Sequence, residues 1–322
     1  MAVLHVQNLK TYYTILRGSV KAVDDVSFKI EKGEAFGLAG ESGCGKTTVA
    51  LSILKILPPG GNIVEGKILF GDLDIVKLDE DYIRKNIRWK GISIVFQGAM
   101  NALNPVYKVG EQIVEAIQIH EPDVENSEAL ERAKKLLELV GIDPSRIDNY
   151  PHEFSGGMRQ RAMIAMALAC NPQLLIADEP GTALDVIVAA QVLKLLKDLK
   201  KKLNLSMMLI THDLSIIAET CEKTGIMYAG KLVEYADTLS IFRQPLHPYT
   251  QGLIGAFPGI KAPKSRMVSI PGSPPDLLNP PSGCRFHTRC KYAMDICRKK
   301  TPEFVNIEKG KEHYVACYLV QK

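Results

Sequence analysis

Gly40-Glu41-Ser42-Gly43-Cys44-Gly45-Lys46-Thr47 follows the apolar run Ala35-Phe36-Gly37-Leu38-Ala39 and precedes a helical spacing of apolar residues at Val49, Ala50, Ile53 and Leu54. Strand, glycine-rich turn and helix in this order, with the spacing G-x-x-x-x-G-K-T, form a phosphate-binding P-loop. Glycines let successive backbone N–H groups turn inward on a phosphate, where a side chain would obstruct them. The following helix adds its positive N-terminal end at the same place. In this motif Lys46 reaches the β- and γ-phosphates and the Thr47 hydroxyl ligates Mg²⁺. The expected nucleotide contacts are therefore Gly40, Glu41, Ser42, Gly43, Cys44, Gly45, Lys46, Thr47 and Thr48.

The chain around this loop has 322 residues, 46% hydrophobic and 24% charged, the balance of a soluble globular protein of one large or two ordinary domains. The start reads as a strand and not as a cleavable signal, and no apolar run approaches the ~20 residues that cross a bilayer. The expected location is the cytosol, with any membrane role carried by partners. The net charge is +4, but the residues from Ile241 onward hold thirteen Lys/Arg against five Asp/Glu, +8, which leaves −4 for the rest. A basic tail suits nucleic acid, a membrane surface, an anionic group within the domain, or a solvated face.

Short strands are expected at His5–Leu9, Val20–Val26 and Ser27–Ile30, an antiparallel layer ahead of the P-loop. Further strands fall at Gly66–Phe70, Ile92–Phe96, Leu174–Ala177 and Met207–Ile210. Helical spacing covers Val109–Ile119 and Glu128–Val140, the latter with Ser127 as N-cap, a Glu131/Lys135 pair and Gly141 as its stop. A helix after Ser155 runs toward Asn171-Pro172, and another spans Val186–Leu203. Alternating strands and helices predict a mainly parallel α/β sheet with an inserted helical subdomain at about 98–165. Ten of the eighteen prolines lie beyond Ile241, so residues 241–322 read as a loop-rich extension to a 1–240 core, unable to form long helices or central strands.

Leu174-Leu175-Ile176-Ala177-Asp178-Glu179-Pro180 supplies a second nucleotide signal. An apolar parallel strand ending in Asp178 places a carboxylate at the sheet's C-terminal edge, where it can hold Mg²⁺ through water. Glu179 is next in line to polarise a water against the γ-phosphate. Between the two signals lies Phe154-Ser155-Gly156-Gly157-Met158-Arg159-Gln160-Arg161, a serine and two glycines opening a helix, 109 residues after Lys46 and 23 before Asp178.

That segment resembles the signature motif of ABC-type ATPases, which implies a P-loop NTPase core of ABC type. The resemblance implies a head-to-tail dimer in which Ser155, Gly156, Gly157 and Asp185 of one subunit face the partner's ATP. It further implies that Gln97 is the Q-loop glutamine, sensing Mg²⁺ and the attacking water, and that His212 contacts the γ-phosphate. Glu179, His212, Lys46 and Gln97 are then the catalytic set, and Thr47, Gln97 and Asp178 the Mg²⁺ set. Tyr13, with Tyr12 as competitor, is the aromatic expected to stack on adenine. Phe154, Met158 and Gly181 depart from the common pattern, and none of these changes removes a catalytic group.

Pro245-Leu246-His247-Pro248-Tyr249-Thr250, Pro271-Gly272-Ser273-Pro274-Pro275 and Gly283-Cys284-Arg285-Phe286-His287 resemble the C-terminal region of the dipeptide/oligopeptide and nickel importer ATPases. The implied function is to power such an importer from the cytoplasmic face of the membrane. A second ATPase subunit, two permease subunits and, indirectly, an extracytoplasmic peptide-binding protein are the implied partners. The segment Gly98–Pro105 is expected beneath the permease. A nickel-importer ATPase, and a soluble ABC ATPase acting on nucleic acid, are the rival readings; the single P-loop and the short gap to the signature weigh against the latter.

Cys284, Cys290, Cys297 and Cys317 read C-x5-C-x6-C-x19-C. Zinc sites prefer C-x2-4-C pairs, whereas four thiolates at wider gaps suit a [4Fe-4S] cluster. Zinc, with His287 or His313 assisting, and no metal at all or disulfides remain as alternatives. Arg285, Arg289, Lys291 and Arg298 are expected to offset the cluster's charge.

Overall fold

The computed structural model describes residues 2–98, 102–256, 270–308 and 310–321. Along the chain come β1 (Ala2–Ile15), β2 (Gly18–Glu31), β3 (Ala35–Ala39), α1 (Lys46–Ile53), β4 (Gly61–Phe70), β5 (Leu73–Asp74), a short α2 (Glu80–Tyr82) and β6 (Ile92–Val95). Then follow α3 (Val109–His120), α4 (Asn126–Leu139), α5 (Gly156–Ala167), β7 (Leu174–Asp178), α6 (Val186–Leu203), β8 (Ser206–Thr211) and α7 (Leu214–Thr220). The chain ends with β9 (Lys223–Tyr228), β10 (Lys231–Asp237), α8 (Thr238–Arg243), α9 (Pro248–Gly255), α10 (Asp295–Lys299), β11 (Val305–Asn306) and β12 (His313–Val315). Two compact units result, one of Glu31–Glu34 and Lys77–Leu209, the other of Ala2–Ile30, Ala35–Val76 and Ile210–Lys322.

In the first unit β6 and β7 pair in parallel, with Val95 opposite Ala177, and β8 lies beside β7. All five residues of β7 are buried, as a parallel strand covered on both faces requires. Helices α3, α4 and α5 pack together, and a side chain at Gly110 would meet Ile147 Cγ1 at 2.2 Å. Arg132 closes the group by forking onto Glu121 (2.5 and 3.0 Å) and donating to the Ala169 carbonyl at 2.9 Å.

Two details differ from the expectation. Helix α4 begins at Asn126 with Glu125 as an N-cap that makes no side-chain hydrogen bond. The turn closed by Val124 N–H on the Glu121 carbonyl brings the chain into the helix early, which leaves Ser127 inside its first turn. Glu131 pairs with Lys134 at 2.7 Å, the i+3 neighbour and not the i+4 one. Of the segment expected beneath a permease, residues 99–101 lie outside the described residues.

In the second unit one sheet runs β2-β1-β4-β5 and the other β11-β12-β10-β9-β3, with β3 parallel to β9. The expected short N-terminal strands are one long hairpin. Asn8 and Asp25 take left-handed backbone angles (φ 47° and 65°), which these two residue types tolerate, and Asn8 Nδ2 donates to Asp25 Oδ1 at 3.0 Å. The kinks interrupt the alternation without ending the strands. The C-terminal extension also contributes more than loops. Proline-free β12 sits between β10 and β11, pairing Glu234 with Val315 and Ala236 with His313.

Candidate nucleotide site

The P-loop leaves fully buried β3 and turns sharply into α1. Gly40 and Gly45 make the turn feasible: a Cβ on Gly40 would lie 2.2 Å from the Met227 carbonyl oxygen, and one on Gly45 2.1 Å from that of Ala22. Both also take positive φ, 153° and 106°. The buried Lys46 ammonium donates to the carbonyls of Gly40 (2.7 Å) and Glu41 (3.0 Å), folding the loop about itself. Ser42, Gly43 and Thr47 are on the exposed side of the loop. Cys44 is buried, and burial pushes its thiol pKa up.

Tyr13 donates to Thr48 Oγ1 at 3.4 Å, which places its ring at the start of α1. Tyr12 donates to Asp24 Oδ1 at 2.9 Å, and burial together with that bond pushes its hydroxyl to about 12. Of the two tyrosines the structure puts Tyr13 at the loop.

Glu41 has partners that its position in the motif did not suggest. Arg289 forks onto its carboxylate at 2.7 and 3.0 Å, and its backbone N–H donates to the Tyr249 hydroxyl at 2.9 Å. These contacts span 248 and 208 residues, and no local pattern announces them. Arg285, in turn, pairs with Asp24 and donates to the Ala229 carbonyl. Two of the four basic residues expected to offset a cluster's charge therefore serve carboxylates near the P-loop. Part of the basic tail is a counter-charge within the unit.

At the edge of the first unit's strands, Gln97 and Glu179 each stand two residues beyond the register pair Val95 and Ala177. Parallel strands carry them to the same height, and Gln97 Nε2 donates to Glu179 Oε2 at 3.0 Å. Thr182 Oγ1 donates to the same oxygen at 2.9 Å. Glu179 itself has φ 45°, a left-handed angle that costs a residue with a Cβ about 1–2 kcal/mol. Such a local cost is stored where geometry matters more than stability. Asp178, ending β7, is 1% exposed.

Ser155 caps α5, its Oγ accepting from Met158 N–H at 3.3 Å, and it stays exposed. Gly157 lies so near α6 that a Cβ would meet Val188 Cγ1 at 2.5 Å. Asp185 caps α6 by accepting from Val188 N–H at 2.9 Å. Beside it Val186 and Ile187 are 86% and 71% exposed, an apolar pair left to solvent. At Gly181 a Cβ would come within 3.1 Å of Ala189 Cβ, so the glycine keeps the loop close to α6. His212 follows β8 and is exposed, while Asp213 caps α7.

Cys284, Cys290, Cys297 and Cys317 line one small pocket, together with His247 and His287. All seven cysteines are free thiols. Burial pushes Cys284 to about 12 and Cys317 to about 11. Among the described residues no group of three or more His, Cys, Asp or Glu is placed to hold a metal ion. Neither the cluster nor the zinc alternative gains a ligand group from this arrangement. His247 is buried, and burial holds its imidazole down to about 4.

Residues 23–182 match the ABC transporter family, and residues 233–297 match the oligopeptide/dipeptide transporter C-terminal region. Over 321 residues the chain is 43% identical to the dipeptide transport ATP-binding protein DppD of Caldanaerobacter subterraneus, covering 99% of this chain and 98% of that one. This chain belongs to the ABC transporter ATPases.

Within that family it is also 45% identical to the oligopeptide transport ATP-binding protein OppD of Bacillus subtilis, covering 98% of this chain and 88% of the relative. Among solved structures, the dimeric ATP-binding cassette MJ0796 with ADP and Pi aligns at TM-score 0.65 and 27% identity, covering 73% of this chain and 98% of that one. The cassette cbiO1 of Clostridium perfringens aligns at TM-score 0.65 over 76% of this chain and 91% of its own. The ABC ATPase fold and its mixed α/β layers follow. No helix among the described residues is long and apolar enough to cross a membrane.

Proposed function

We propose that this ABC ATPase powers the import of di- or oligopeptides, held to the cytoplasmic face of the membrane by two permease subunits and paired with a second ATPase subunit. The hydrogen bond between Gln97 and Glu179 carries the catalytic part of the reading. ATP lies along Gly40–Thr48 with Tyr13 against adenine, and Lys46 turns from the loop carbonyls to the β- and γ-phosphates. Thr47, Asp178 and Gln97 would hold Mg²⁺, which would neutralise charge on the phosphates.

Glu179 accepts the proton of the attacking water while Gln97 orients that water, and His212 contacts the γ-phosphate. Ser155, Gly156, Gly157 and Asp185 complete the partner's site across the dimer, where the α5 N-terminus adds a second phosphate cradle. Closure on two ATP drives the permeases, and hydrolysis reopens the dimer. Residues 241–322 form the cysteine-bearing part that distinguishes this branch.

Cys284, Cys290, Cys297 and Cys317 would hold a [4Fe-4S] cluster. The shared pocket supports this, as does the buried His247 Nε2 at the same pocket, which has no hydrogen-bond partner among the described residues. The cluster would cross-link a segment poor in its own core. Peptide as cargo rests on relatives named for dipeptide and oligopeptide transport.

The test is reconstitution with the permeases and binding protein in vesicles. ATP-dependent uptake of a labelled dipeptide, lost in Glu179→Gln, is expected. Uptake of Ni²⁺ and no peptide would overturn the cargo.

A further inference from the structure

One P-loop residue is gripped from two directions by the C-terminal region. The Glu41 carboxylate takes the Arg289 fork, and the Glu41 N–H takes the Tyr249 hydroxyl. Neither partner is free to swing. The Arg289 side chain is 5% exposed, its Nε donates to the Pro271 carbonyl at 2.8 Å, and its guanidinium lies 5.7 Å from the Tyr228 ring. Tyr249 is fully buried, with its ring 4.6 Å from Tyr228 and 5.4 Å from Phe286.

Glu41 follows Gly40, and the carbonyls of these two residues are the ones that Lys46 bonds. Farther along the loop, the Cys44 carbonyl accepts from Gly230 N–H at 2.9 Å, and the adjacent Ala229 carbonyl is held by Arg285. We infer that Tyr249 and Arg289 are positioning residues of the ATP site, fixing through Glu41 the loop conformation that cradles the phosphates. The inference rests on the P-loop's being that site. It makes the C-terminal region a structural part of nucleotide binding in the same chain.

MgATP affinity of the purified full chain tests it, with thermal unfolding as the control for folding. Tyr249→Phe keeps the ring and removes only the hydroxyl; Arg289→Lys keeps the charge and loses the fork. Affinity is expected to fall several-fold in the first and about tenfold in Arg289→Met, with Arg289→Lys between that variant and wild type. Glu41→Gln combined with Arg289→Met should bind no more weakly than Arg289→Met alone, because one interaction is lost once. Wild-type affinity in both Tyr249→Phe and Arg289→Lys overturns the inference. A wild-type chain that does not bind MgATP overturns the reading of the site itself.

A separate observation concerns His247. Its Nδ1 accepts from Tyr249 N–H at 3.1 Å, so in the neutral ring the proton sits on Nε2. That N–H is buried, has no hydrogen-bond partner among the described residues, and belongs to a side chain lining the four-cysteine pocket. A buried donor left unmade is unfavourable, and the sulfur atoms of a cluster are the acceptors such a pocket would offer. The geometry points to His247 Nε2–H as a hydrogen-bond donor to the group the four cysteines hold, which rests on the cluster reading.

Anaerobic preparation of the full chain, with iron and sulfide analysis and redox titration followed by absorption, provides the test. His247→Asn keeps an oxygen to cap Tyr249 N–H and draws its remaining donor, the amide NH₂, back from the Nε2 position; His247→Gln keeps a donor near that position. Hydrogen bonds to cluster sulfurs raise the potential, so the Asn variant should titrate lower and the Gln variant near wild type. An Asn variant with full cluster content and wild-type potential overturns the inference. A wild-type protein without iron and sulfide removes the cluster reading and this inference with it.

Discussion

Gln97 Nε2 lies 3.0 Å from Glu179 Oε2, and the two residues follow the ends of adjacent parallel strands in matched register. A carboxylate held by an amide and by the Thr182 hydroxyl at 2.9 Å is aimed before any water arrives. Replacing Glu179 with Gln preserves size and removes the carboxylate proposed as proton acceptor. ATP hydrolysis should fall by about 10²-fold or more, the usual contribution of a positioned base, with MgATP binding retained. Light scattering with ATP should then show accumulated dimer. Hydrolysis at the wild-type rate would take the base assignment from Glu179.

The glycines of the P-loop are not equivalent. Gly45 abuts the Ala22 carbonyl, so a Cβ there would sit 2.1 Å from oxygen and the loop must shift. Gly43 faces open space but has φ 77°, where alanine costs about 1–2 kcal/mol. Gly45→Ala should lose MgATP binding, whereas Gly43→Ala should show only that modest loss in urea unfolding. Equal behaviour of the two would mean that contact with Ala22 does not shape the loop.

Much of this site was legible in the sequence because its parts are local. The P-loop, the strand ending in Asp178 and the helix opened by Ser155 each need a run of about ten residues, and α6 was legible at its observed ends, Val186 and Leu203. The grip on Glu41 was not, since Tyr249 and Arg289 reach it across 208 and 248 residues. The strand β12 was obscured in a similar way. A proline-rich context argues for loops, yet three proline-free residues suffice once β10 offers an edge.

Arg285 and Asp24 form the other long-range pair, with side chains 6% and 15% exposed. Burial pushes the Asp24 carboxyl up, but Lys231 and Arg285 outweigh it and hold the group below its ordinary value. Removing one partner of a buried pair typically costs about 3–5 kcal/mol. Asp24 keeps Tyr12 and Lys231 as neighbours, so Arg285→Ala should fall at the lower end, about 3 kcal/mol by urea unfolding. Adding Asp24→Asn should recover part of that loss. A loss for Arg285→Ala under about 0.5 kcal/mol would class the pair with surface ion pairs.

Acid sensitivity should follow Glu121. The hydrogen bond from Arg132 holds its carboxyl below the ordinary 4.5. A lowered carboxyl stabilises the fold above its unfolded value and loses that contribution as pH falls through the native one. Glu121→Gln should therefore be less stable than wild type at pH 7, and the difference should shrink below about pH 4.5. A difference that is constant from pH 7 to pH 3 would show that the fork acts through packing and not through charge.

The apolar pair at the start of α6 bears on assembly. Val186 and Ile187 are 86% and 71% exposed beside Asp185, whose carboxylate caps the helix. Exposed to that degree, they contribute little to the monomer, so a polar replacement leaves its stability nearly unchanged. Burying an isoleucine against a partner is worth about 2 kcal/mol, which corresponds to more than tenfold in association. Introduced into the Glu179→Gln background, Ile187→Asp should weaken ATP-dependent dimerisation by at least about tenfold while thermal unfolding stays where it was. An undiminished dimer would place the seam elsewhere than at the N-terminus of α6, and would separate the cap made by Asp185 from any part in the partner's ATP site.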